Sequence, residues 1–504
     1  MKPSLLRKLT ACGLVTAFFA TSSSSAQEAE LTGLRGMKIL FVVGETDKDH
    51  PSDDALVEQH LEALGAVVAR ADSHASSAAA DGKDLIVISA TADAHGLGTT
   101  YRDVPVPVFT WNAYAYQYLS MTGDQVHTDF EVVDGAHFAA RTMSDLYPFC
   151  TNATHPIARA VGLPSQVFGS YYLQSTESCW GRPGLGAQTL AIFEGDPNKA
   201  AVFTYERGAT MIDNGVAPAR RVGFYLGHDN FHLLSDIHGP YANDPDQRTW
   251  WIGRKLFDAA LRWAVSPPPA PVKYDPAGLR AALARAAKGV KLLFVCRLPT
   301  EEGQETDAHM IEHLRSLGFD LTVADGEDPD TRANGQDFVL LSSTLSKFKL
   351  TNKYRNVHVP LLCLESLMAD TYRMTGRRRY IEYGMHGETG ESDDPPESYV
   401  RIVSAWHPLA AGLASGMHQF VKEPDLIKWA IPTRSAIVVA TVGNSPDQPA
   451  IFGYEKGSTL ADDSLAPARR MMFGLDNPQF DDLTDDGVLL FDSAVLWCIT
   501  KPQE

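Results

Sequence analysis

The chain has 504 residues, of which 44% are hydrophobic and 21% charged, and its 62 acidic and 44 basic side chains give a formal net charge of −18. This is the composition of a soluble globular protein long enough for two domains or more, and it excludes a disordered or fibrous protein. The negative charge excludes a protein that coats nucleic acid, so we expect no nucleic-acid partner.

The N-terminus has the pattern of a cleavable secretory signal. Lys2, Arg7 and Lys8 precede an apolar run between Thr10 and Ala20, and this run is too short to span a bilayer. Small residues stand at the last and third-last positions before Gln27, as at a cleavage site. We therefore expect residues 1–26 to be removed and the mature protein to be periplasmic or extracellular, with no membrane span.

The elements that follow alternate between strand and helix. Residues 38–43 form a continuous apolar run suited to a strand buried on both faces. Ser52 and Asp53 can cap a helix whose apolar positions Leu56, Leu61 and Leu64 share one face, which we expect to be the core face. Further strands are predicted at 85–89 and 104–110, then a late antiparallel pair at 201–205 and 221–226 before a terminal helix. This order predicts an α/β fold with a mainly parallel, helix-flanked sheet.

An internal duplication divides the chain. Residues 38–42 (KILFV) recur as 291–295 (KLLFV), a shift of 291 − 38 = 253, and residues 205–208 (YERG) recur as 454–457 (YEKG), a shift of 454 − 205 = 249. We predict one domain at 34–265 and another at 289–504, joined by a Pro-rich linker at 266–288. Two related domains in one chain often reproduce a homodimer interface, so we expect an intramolecular pseudo-dimer.

At this point the sequence resembles a known family. The run from Arg221 to His228 (RVGFYLGH) is similar to the strand ending in Leu-Gly-His of ThuA-like (trehalose-utilisation) proteins, and His155-Pro156-Ile157 looks like their His-Pro-Ile turn. The resemblance covers both copies. It implies two tandem flavodoxin-like domains of the class I glutamine amidotransferase-like fold, and a carbohydrate-like small molecule as ligand.

Active amidotransferases of that fold carry a nucleophilic cysteine in a glycine-flanked elbow, five residues after a proline-started strand. Counting from Pro107 reaches Asn112, and counting from Pro360 reaches Glu365. Neither position holds a cysteine and the flanking glycines are missing, so the strained turn that exposes such a nucleophile is not predicted. We therefore expect no glutamine amidotransferase activity.

The carboxyl ends of the strands are where an open parallel sheet binds ligands. The first copy has Gly227-His228 at one such end where the second has Asp476-Asn477, so the first copy is the better candidate for an active site. His228 is a candidate general acid or base. Glu365 is another candidate base, although a carboxylate at a helix start also stabilises the helix dipole.

Other side chains near these ends suggest ligand or metal binding. Trp111, Asn112 and Tyr114 follow a strand, and the aromatic rings can either stack on a sugar or pack in the core. His155 either contacts ligand or caps a helix. His228, His232 and His238 lie close to Asp229 and Asp236, so a divalent metal cofactor is one interpretation of a loop that otherwise presents surface histidines.

Five cysteines remain after the signal, so they cannot all pair within one molecule. Cys150 and Cys179 lie in irregular polar sequence and are candidates for a disulfide in an oxidising compartment. Cys296, Cys363 and Cys498 sit in apolar stretches and are expected to be buried thiols.

Three functions remain open from the sequence. The first is a protein that binds or processes a carbohydrate-like small molecule outside the cytoplasm. The second is a non-catalytic structural or scaffold protein. The third is a secreted hydrolase that uses His228 with a carboxylate or a metal.

Overall fold

The structure is a computed structural model that describes residues 33–44, 53–133, 147–169, 177–193, 195–234, 252–268, 275–298, 305–388, 395–476 and 479–500. The predicted signal at 1–26 lies outside these residues. Within the described ranges, no helix combines the length and the apolarity that a membrane crossing requires.

The strands of the first half, in chain order, are β1 (Lys38–Val42), β2 (Val67–Ala71), β3 (Leu85–Ile88), β4 (Val108–Thr110), β5 (Phe130–Val133), β6 (Phe149–Cys150), β7 (Ser178–Gly181), β8 (Gln188–Ile192), β9 (Ala200–Tyr205) and β10 (Arg221–Phe224). Among the described residues they form one ten-stranded sheet in the order β2-β1-β3-β4-β10-β9-β7-β5, with β8 pairing β9 and β6. The strands from β2 to β10 in this order are parallel, and β9 runs antiparallel to β10.

The second half repeats this arrangement. Its strands are β11 (Lys291–Cys296), β12 (Asp320–Asp325), β13 (Phe338–Leu341), β14 (Leu361–Cys363), β15 (Tyr383–Met385), β16 (Tyr399–Ile402), β17 (Gly416–Gln419), β18 (Lys428–Ala430), β19 (Ile437–Val442), β20 (Ser445–Tyr454) and β21 (Arg470–Phe473). The main sheet has the order β12-β11-β13-β14-β21-β20-β19-β16-β17, and β15 pairs with β18 separately. The predicted α/β class is confirmed, with a parallel part and an antiparallel part in each sheet.

Helices cover both faces of the sheets. They are α1 (Asp54–Ala63), α2 (Ala94–Leu97), α3 (Ala113–Tyr118), α4 (Pro156–Ala160), α5 (Gly253–Val265), α6 (Pro276–Ala287), α7 (Glu305–Ser316), α8 (Lys347–Leu350) and α9 (Asp485–Ile499). Leu61 of α1 and Phe257 of α5 share one core with Phe41, whereas Leu97 and Tyr116 pack on the other face of the sheet. In α1 the buried apolar residues are Val57 and Leu61, so the prediction that Leu56 faces the core is wrong.

Half of the predicted linker is a helix. Residues 276–287 form α6, which begins at Pro276 after Asp275 caps its N-terminus. Leu279, Leu283 and Ala287 belong to the core of the second half together with residues of α9. Their spacing of four residues places them on one helix face, and this periodicity overrides the proline-rich composition that suggested a linker.

Buried arginines recur in the two halves with the same partners. Arg220 donates to both carboxylate oxygens of Glu206, and Arg469 does the same to Glu455. The adjacent Arg221 and Arg470 are also buried but donate to backbone carbonyls, among them Val106 and Val359. Each arginine therefore satisfies carbonyls or a carboxylate that burial would otherwise leave unpaired.

Direct contacts join the two halves. The backbone N–H of Thr210 donates to Val403 O at 2.8 Å, and the hydroxyls of Ser165 and Thr459 are 2.5 Å apart. Leu185 of the first half packs against the core of the second.

Two buried histidines cap helices at equivalent places. His155 accepts from the backbone N–H of Ile157 and His407 from that of Leu409, each at 3.2 Å. Burial, together with the positive charges of Arg220 and Arg469, lowers the pKa of both imidazoles to about 3.

We predict an acid sensitivity that comes from these caps. An unfolded histidine has a pKa near 6.5, so below that pH the unfolded chain binds protons that the folded chain does not, and stability falls as the pH drops toward 3. The expected slope is about 1.4 kcal/mol per pH unit for each histidine. The double variant His155→Asn, His407→Asn keeps a capping oxygen at each position. Between pH 6 and pH 4 its free energy of unfolding, measured with urea, should change less steeply with pH than that of the wild type, by the equivalent of about two protons. An unchanged slope would mean that these imidazoles are protonated in the folded protein.

Candidate functional site

A buried aspartate ties together two strand ends in the second half. Asp307, in the first turn of α7, accepts from Ser342 Oγ at 2.6 Å and from Thr344 Oγ1 at 2.7 Å. Thr344 Oγ1 also accepts the backbone N–H of Arg297, which follows β11, at 3.2 Å. Burial raises the pKa of Asp307, and the two hydroxyl hydrogen bonds oppose this shift. This group, the Asp307 clamp, fixes the carboxyl ends of β11 and β13 against α7.

The first half has the same clamp. Asp54 accepts from Ser89 Oγ at 2.5 Å and from Thr91 Oγ1 at 2.6 Å, and Thr91 Oγ1 accepts the backbone N–H of Gly44 at 3.0 Å. The clamp is therefore part of the frame that both halves share, and it does not distinguish a ligand site in one of them.

At the neighbouring strand ends of the same sheet, the second half forms a salt bridge of three residues around a buried lysine. Lys428 Nζ lies 2.5 Å from Glu365 Oε2 and 2.9 Å from Asp476 Oδ1. Glu365 follows β14, Asp476 follows β21 and Lys428 opens β18, so three chain segments converge on one ammonium group. The Lys428 and Glu365 side chains are 2% and 7% exposed.

The salt bridge engages the groups of Lys428 and Glu365 that could otherwise take part in a reaction. Burial lowers the pKa of Lys428, but Glu365 and Asp476 outweigh it and the pKa is raised, so the amine stays protonated and is no nucleophile. Glu365 Oε2 is bound to Lys428, and its Oε1 caps the following turn by accepting the backbone N–H of Leu367 at 2.9 Å. Both oxygens are engaged, so the arrangement favours the structural interpretation of Glu365 over that of a general base.

The corresponding positions of the first half are neutral. The shifts place Asn112 opposite Glu365, Cys179 opposite Lys428 (428 − 249 = 179) and Gly227 opposite Asp476. Asn112 Nδ2 donates to the carbonyls of Ser89 and Ala92, and its Oδ1 accepts from Ala115. The Cys179 thiol donates to Phe224 O at 3.2 Å, and burial raises its pKa to about 12.

The structure buries three of the four predicted ligand-binding residues of the first half. Trp111 is buried in the core against Phe109 and Phe257. Asn112 and His155 are buried and cap α3 and α4. Tyr114 is exposed, with its ring edge-on to Phe130. These positions favour the core interpretation of Trp111 and the capping interpretation of His155, and they give Asn112 a capping role as well.

The predicted histidine loop is only partly described. His228 Nδ1 pairs with Asp229 at 2.9 Å and His232 Nδ1 with Asp53 at 2.8 Å, and both histidines are exposed. His238 and Asp236 lie outside the described residues. Among the residues that are described, no group of three His, Cys, Asp or Glu side chains is arranged to hold a metal.

The predicted disulfide between Cys150 and Cys179 is not formed. Both are buried free thiols, as are Cys296, Cys363 and Cys498. Cys150 lies in β6, which pairs with β8, whereas Cys179 lies in β7, which pairs with β5 and β9. The two cysteines therefore sit on strands that do not pair with each other.

An open cavity of about 260 Å3 lies at the carboxyl edge of the second sheet. It is formed where β11, β12 and β13 end, and its lining residues are Arg297, Asp325, Gly326, Leu345, Ser346 and Lys349. The Asp307 clamp holds the Arg297 backbone at this edge, and Asp325 Oδ2 accepts the backbone N–H of Leu298 at 2.7 Å.

The equivalent place in the first half has no room for the same side chains. The shift of 253 puts Gly44 opposite Arg297 and Gly96 opposite Lys349. A Cβ on Gly44 would lie 2.2 Å from Thr91 O, and one on Gly96 would lie 2.7 Å from both Asp93 Oδ2 and His74 Cε1. The packing of this edge therefore excludes the two cations that the second half presents.

Sequence reasoning missed Lys428, the two clamp aspartates and the cavity. Asp54 and Asp307 are related by 307 − 54 = 253, so the duplication itself carries the signal that could have found them. Lys428 stands where the halves differ, and a search for identities between copies does not detect such a position.

Comparison with known proteins does not show a family for this chain. No family model matches the chain, and no curated protein matches it. Three solved structures are similar at a TM-score of 0.29. One is described as a GMP synthase protein of Thermoplasma acidophilum, with 13% identity over 41% of this chain and 94% of its own. Another is described as a ThuA-like protein of Parabacteroides merdae, with 16% identity over 42% and 91%. The third is the mmIFT52 N-terminal domain, with 11% identity over 42% and 99%.

The buried salt bridge gives a stability prediction. Lys428→Met leaves the buried Glu365 and the partly buried Asp476 without their cation, which should lower the free energy of unfolding by about 3–5 kcal/mol. The matched control is a triple variant that carries the neutral residues of the first half, Glu365→Asn, Lys428→Cys and Asp476→Gly. Since it buries no charge, it should lose much less, and urea unfolding compares the two. A triple variant as unstable as Lys428→Met would contradict this account.

Proposed function

We propose that this chain is an exported protein of two tandem ThuA-like domains, which binds a carbohydrate-like small molecule at the second domain. The observation that carries the binding proposal is the cavity at the carboxyl edge of the second sheet. In open parallel sheets, ligands bind beyond the carboxyl ends where the strand order reverses. Here the order reverses between β11 and β13, and the cavity lies at those strand ends.

The cavity is small and polar. Sites for small molecules usually measure about 300–1,000 Å3, so a cavity of this size suits a ligand no larger than a monosaccharide. Arg297, Asp325 and Ser346 offer polar groups to hydroxyls, and Leu345 offers an apolar surface. These are the two kinds of contact that a sugar ring needs.

Phe348 adds an aromatic group near this cavity. It lies on α8 beside Lys349 and is 92% exposed, although exposing a phenylalanine to water is unfavourable. An exposed ring one residue away from a lining residue can pack against the apolar face of a sugar. This exposed phenylalanine replaces Trp111 as the candidate for stacking.

Neither half supports glutamine amidotransferase activity. Asn112 and Glu365, at the positions where a nucleophilic cysteine would stand, are buried and hydrogen-bonded through their side chains. Cys363 is buried in β14, and burial raises the pKa of its thiol to about 12, which suppresses the thiolate.

The contacts between the halves support the pseudo-dimer as part of this proposal. Thr210 and Thr459 are equivalent, since 459 − 210 = 249. Thr210 contacts Val403 of the second half, and Thr459 contacts Ser165 of the first. The same turn of each half thus contacts the other half, as expected of a pseudo-dimer.

A scaffold protein without ligand is the second candidate function. It is favoured by the first half, where the strand ends are occupied by Asn112, Cys179 and the Asp54 clamp, all buried. A scaffold protein of this kind would show no saturable binding of a ligand.

The test compares melting curves of the full mature chain with glucose, glucuronate and glucose 6-phosphate. A ligand at 100 times its Kd stabilises the folded state by about 2.7 kcal/mol, so a binding sugar should raise the melting temperature in a saturable way. Ser346→Tyr fills the cavity without changing charge and should abolish the response. His228→Ala should retain it.

The remaining outcomes separate the alternatives. Loss of the response in His228→Ala alone would move the site to the first half and support the hydrolase hypothesis. No response to any of the sugars would leave the scaffold as the better account. Export is tested separately, by locating the processed chain in periplasmic and culture fractions.

A further inference from the structure

The chain contains two Asn-Gly pairs, Asn214-Gly215 and Asn334-Gly335. Asparagine is a chemically labile residue. A glycine after it favours attack by the backbone nitrogen on the asparagine side chain, because glycine has no side chain of its own to hinder the approach. All four residues are exposed. Exposure therefore does not distinguish the two pairs, and the backbone around each of them decides how readily it reacts.

The peptide group between Asn334 and Gly335 is unrestrained. Asn334 has φ −65° and ψ 125°, Gly335 has φ +75°, and the Gln336 N–H donates to Ala333 O at 3.1 Å, which matches a type II turn. Within the described ranges, no group is hydrogen-bonded to the Asn334 carbonyl, to the Asn334 side chain or to the Gly335 N–H. Rotation of this peptide group therefore breaks no hydrogen bond of its own.

The other pair is held in place. The Gly215 N–H donates to Asp213 Oδ1 at 2.9 Å, and the Gly215 carbonyl accepts from the Met211 N–H at 2.8 Å. The Asn214 N–H donates to the Met211 carbonyl at 3.1 Å. The Gly215 nitrogen must leave a charge-assisted hydrogen bond before it can attack, and the neighbouring carboxylate opposes loss of its proton. Asn214 is thus the poorer reaction site, although the Asn-Gly sequence is the same.

We propose that Asn334 is a site of spontaneous deamidation. The peptide group turns from ψ 125° until the Gly335 nitrogen faces Cγ of the Asn334 side chain. A bond forms between this nitrogen and Cγ, the bond from Cγ to Nδ2 breaks, and the proton of the Gly335 N–H goes to the leaving nitrogen, which departs as ammonia. The product is a five-membered succinimide ring.

One water molecule then opens this ring. Addition at Cγ gives aspartate at position 334 and restores the original backbone. Addition at the backbone carbonyl carbon gives isoaspartate, in which the backbone runs through the side chain. The sum of the two steps consumes one water and releases one ammonia, and it requires no oxidant or other reactant.

The first half already has the aspartate form of this turn. Since 334 − 253 = 81, the equivalent pair is Asp81-Gly82. Asp81 has φ −62° and ψ 127° and Gly82 has φ +66°, nearly the same backbone as Asn334-Gly335. The aspartate product therefore fits the turn without rearrangement, and Asn334→Asp should leave the free energy of unfolding unchanged.

The isoaspartate product should disturb the strands next to this turn. Asp337 Oδ2 accepts the backbone N–H of Lys291 at 2.9 Å, and the Asp337 N–H donates to the Lys291 carbonyl at 2.8 Å, so this residue joins the amino ends of β11 and β13. Isoaspartate at 334 lengthens the backbone by one methylene just before this connection. The cavity lies at the opposite, carboxyl edge, so this inference is independent of the proposed function.

The experiment ages the full mature chain at pH 8 and 37 °C and follows both pairs by peptide mapping with mass spectrometry, in which each conversion adds about 1 Da. Asn334 should convert at least 5-fold faster than Asn214, and isoaspartate should be among its products. Asn334→Gln should abolish the fast conversion, because the longer side chain would have to close a six-membered ring. Asn214 should convert at an unchanged rate in that variant.

Two controls separate the effect of the fold from that of the sequence. In concentrated urea both turns are lost, so the two pairs should convert at similar rates. Asp213→Ala frees the Gly215 N–H and should accelerate conversion of Asn214, whereas Asp213→Asn keeps an acceptor oxygen and should accelerate it less. Equal rates in the folded protein, faster conversion of Asn214, or a difference that persists in urea would overturn the inference.

Discussion

The geometry at the carboxyl edge of each sheet depends on the buried aspartate clamp. A carboxylate taken out of water must be hydrogen-bonded, and Asp307 meets this need with the hydroxyls of Ser342 and Thr344. The strand β13 and the helix α7 are thereby held together, and Thr344 draws in the end of β11 through the Arg297 backbone. The clamp fixes the strand ends from which Arg297 and Leu345 enter the cavity lining, although the polar atoms of its own side chains are engaged with one another.

The two halves share this frame and differ in what they place on it. The second half adds a buried cation with two carboxylates, whereas the first has an amide, a thiol and a glycine at the corresponding positions. Salt bridges of this kind add little net stability, because desolvation offsets the attraction between the charges. Such a salt bridge does specify one arrangement of its side chains, because each carboxylate must lie next to the ammonium group. We infer that this arrangement holds the edge of the second half in one shape beside its cavity.

Much of the fold could be predicted from the sequence, because apolar strands and their repetition leave a direct pattern. The parallel strands β1 and β11, the antiparallel pair of β9 and β10, and the α/β class all follow from such runs. The helix α6 was hidden by the prolines that precede it, although Leu279 and Leu283 already show helical spacing. The role of Trp111 stayed open between stacking and core packing, because chain position does not reveal depth in the sheet. The cavity could not be predicted, since it depends on which side chains fill space, as Gly44 and Gly96 show.

Amide hydrogen exchange with bound glucuronate tests the central claim, that the ligand site lies at the edge of the second half and not the first. Segments around Arg297, Gly326 and Lys349 should gain protection when glucuronate saturates the protein. Their counterparts around Gly44, Ser73 and Gly96 provide a control within the same molecule and should not change. Protection confined to the first half or to the segment around His228, or the absence of any protection, would contradict the account.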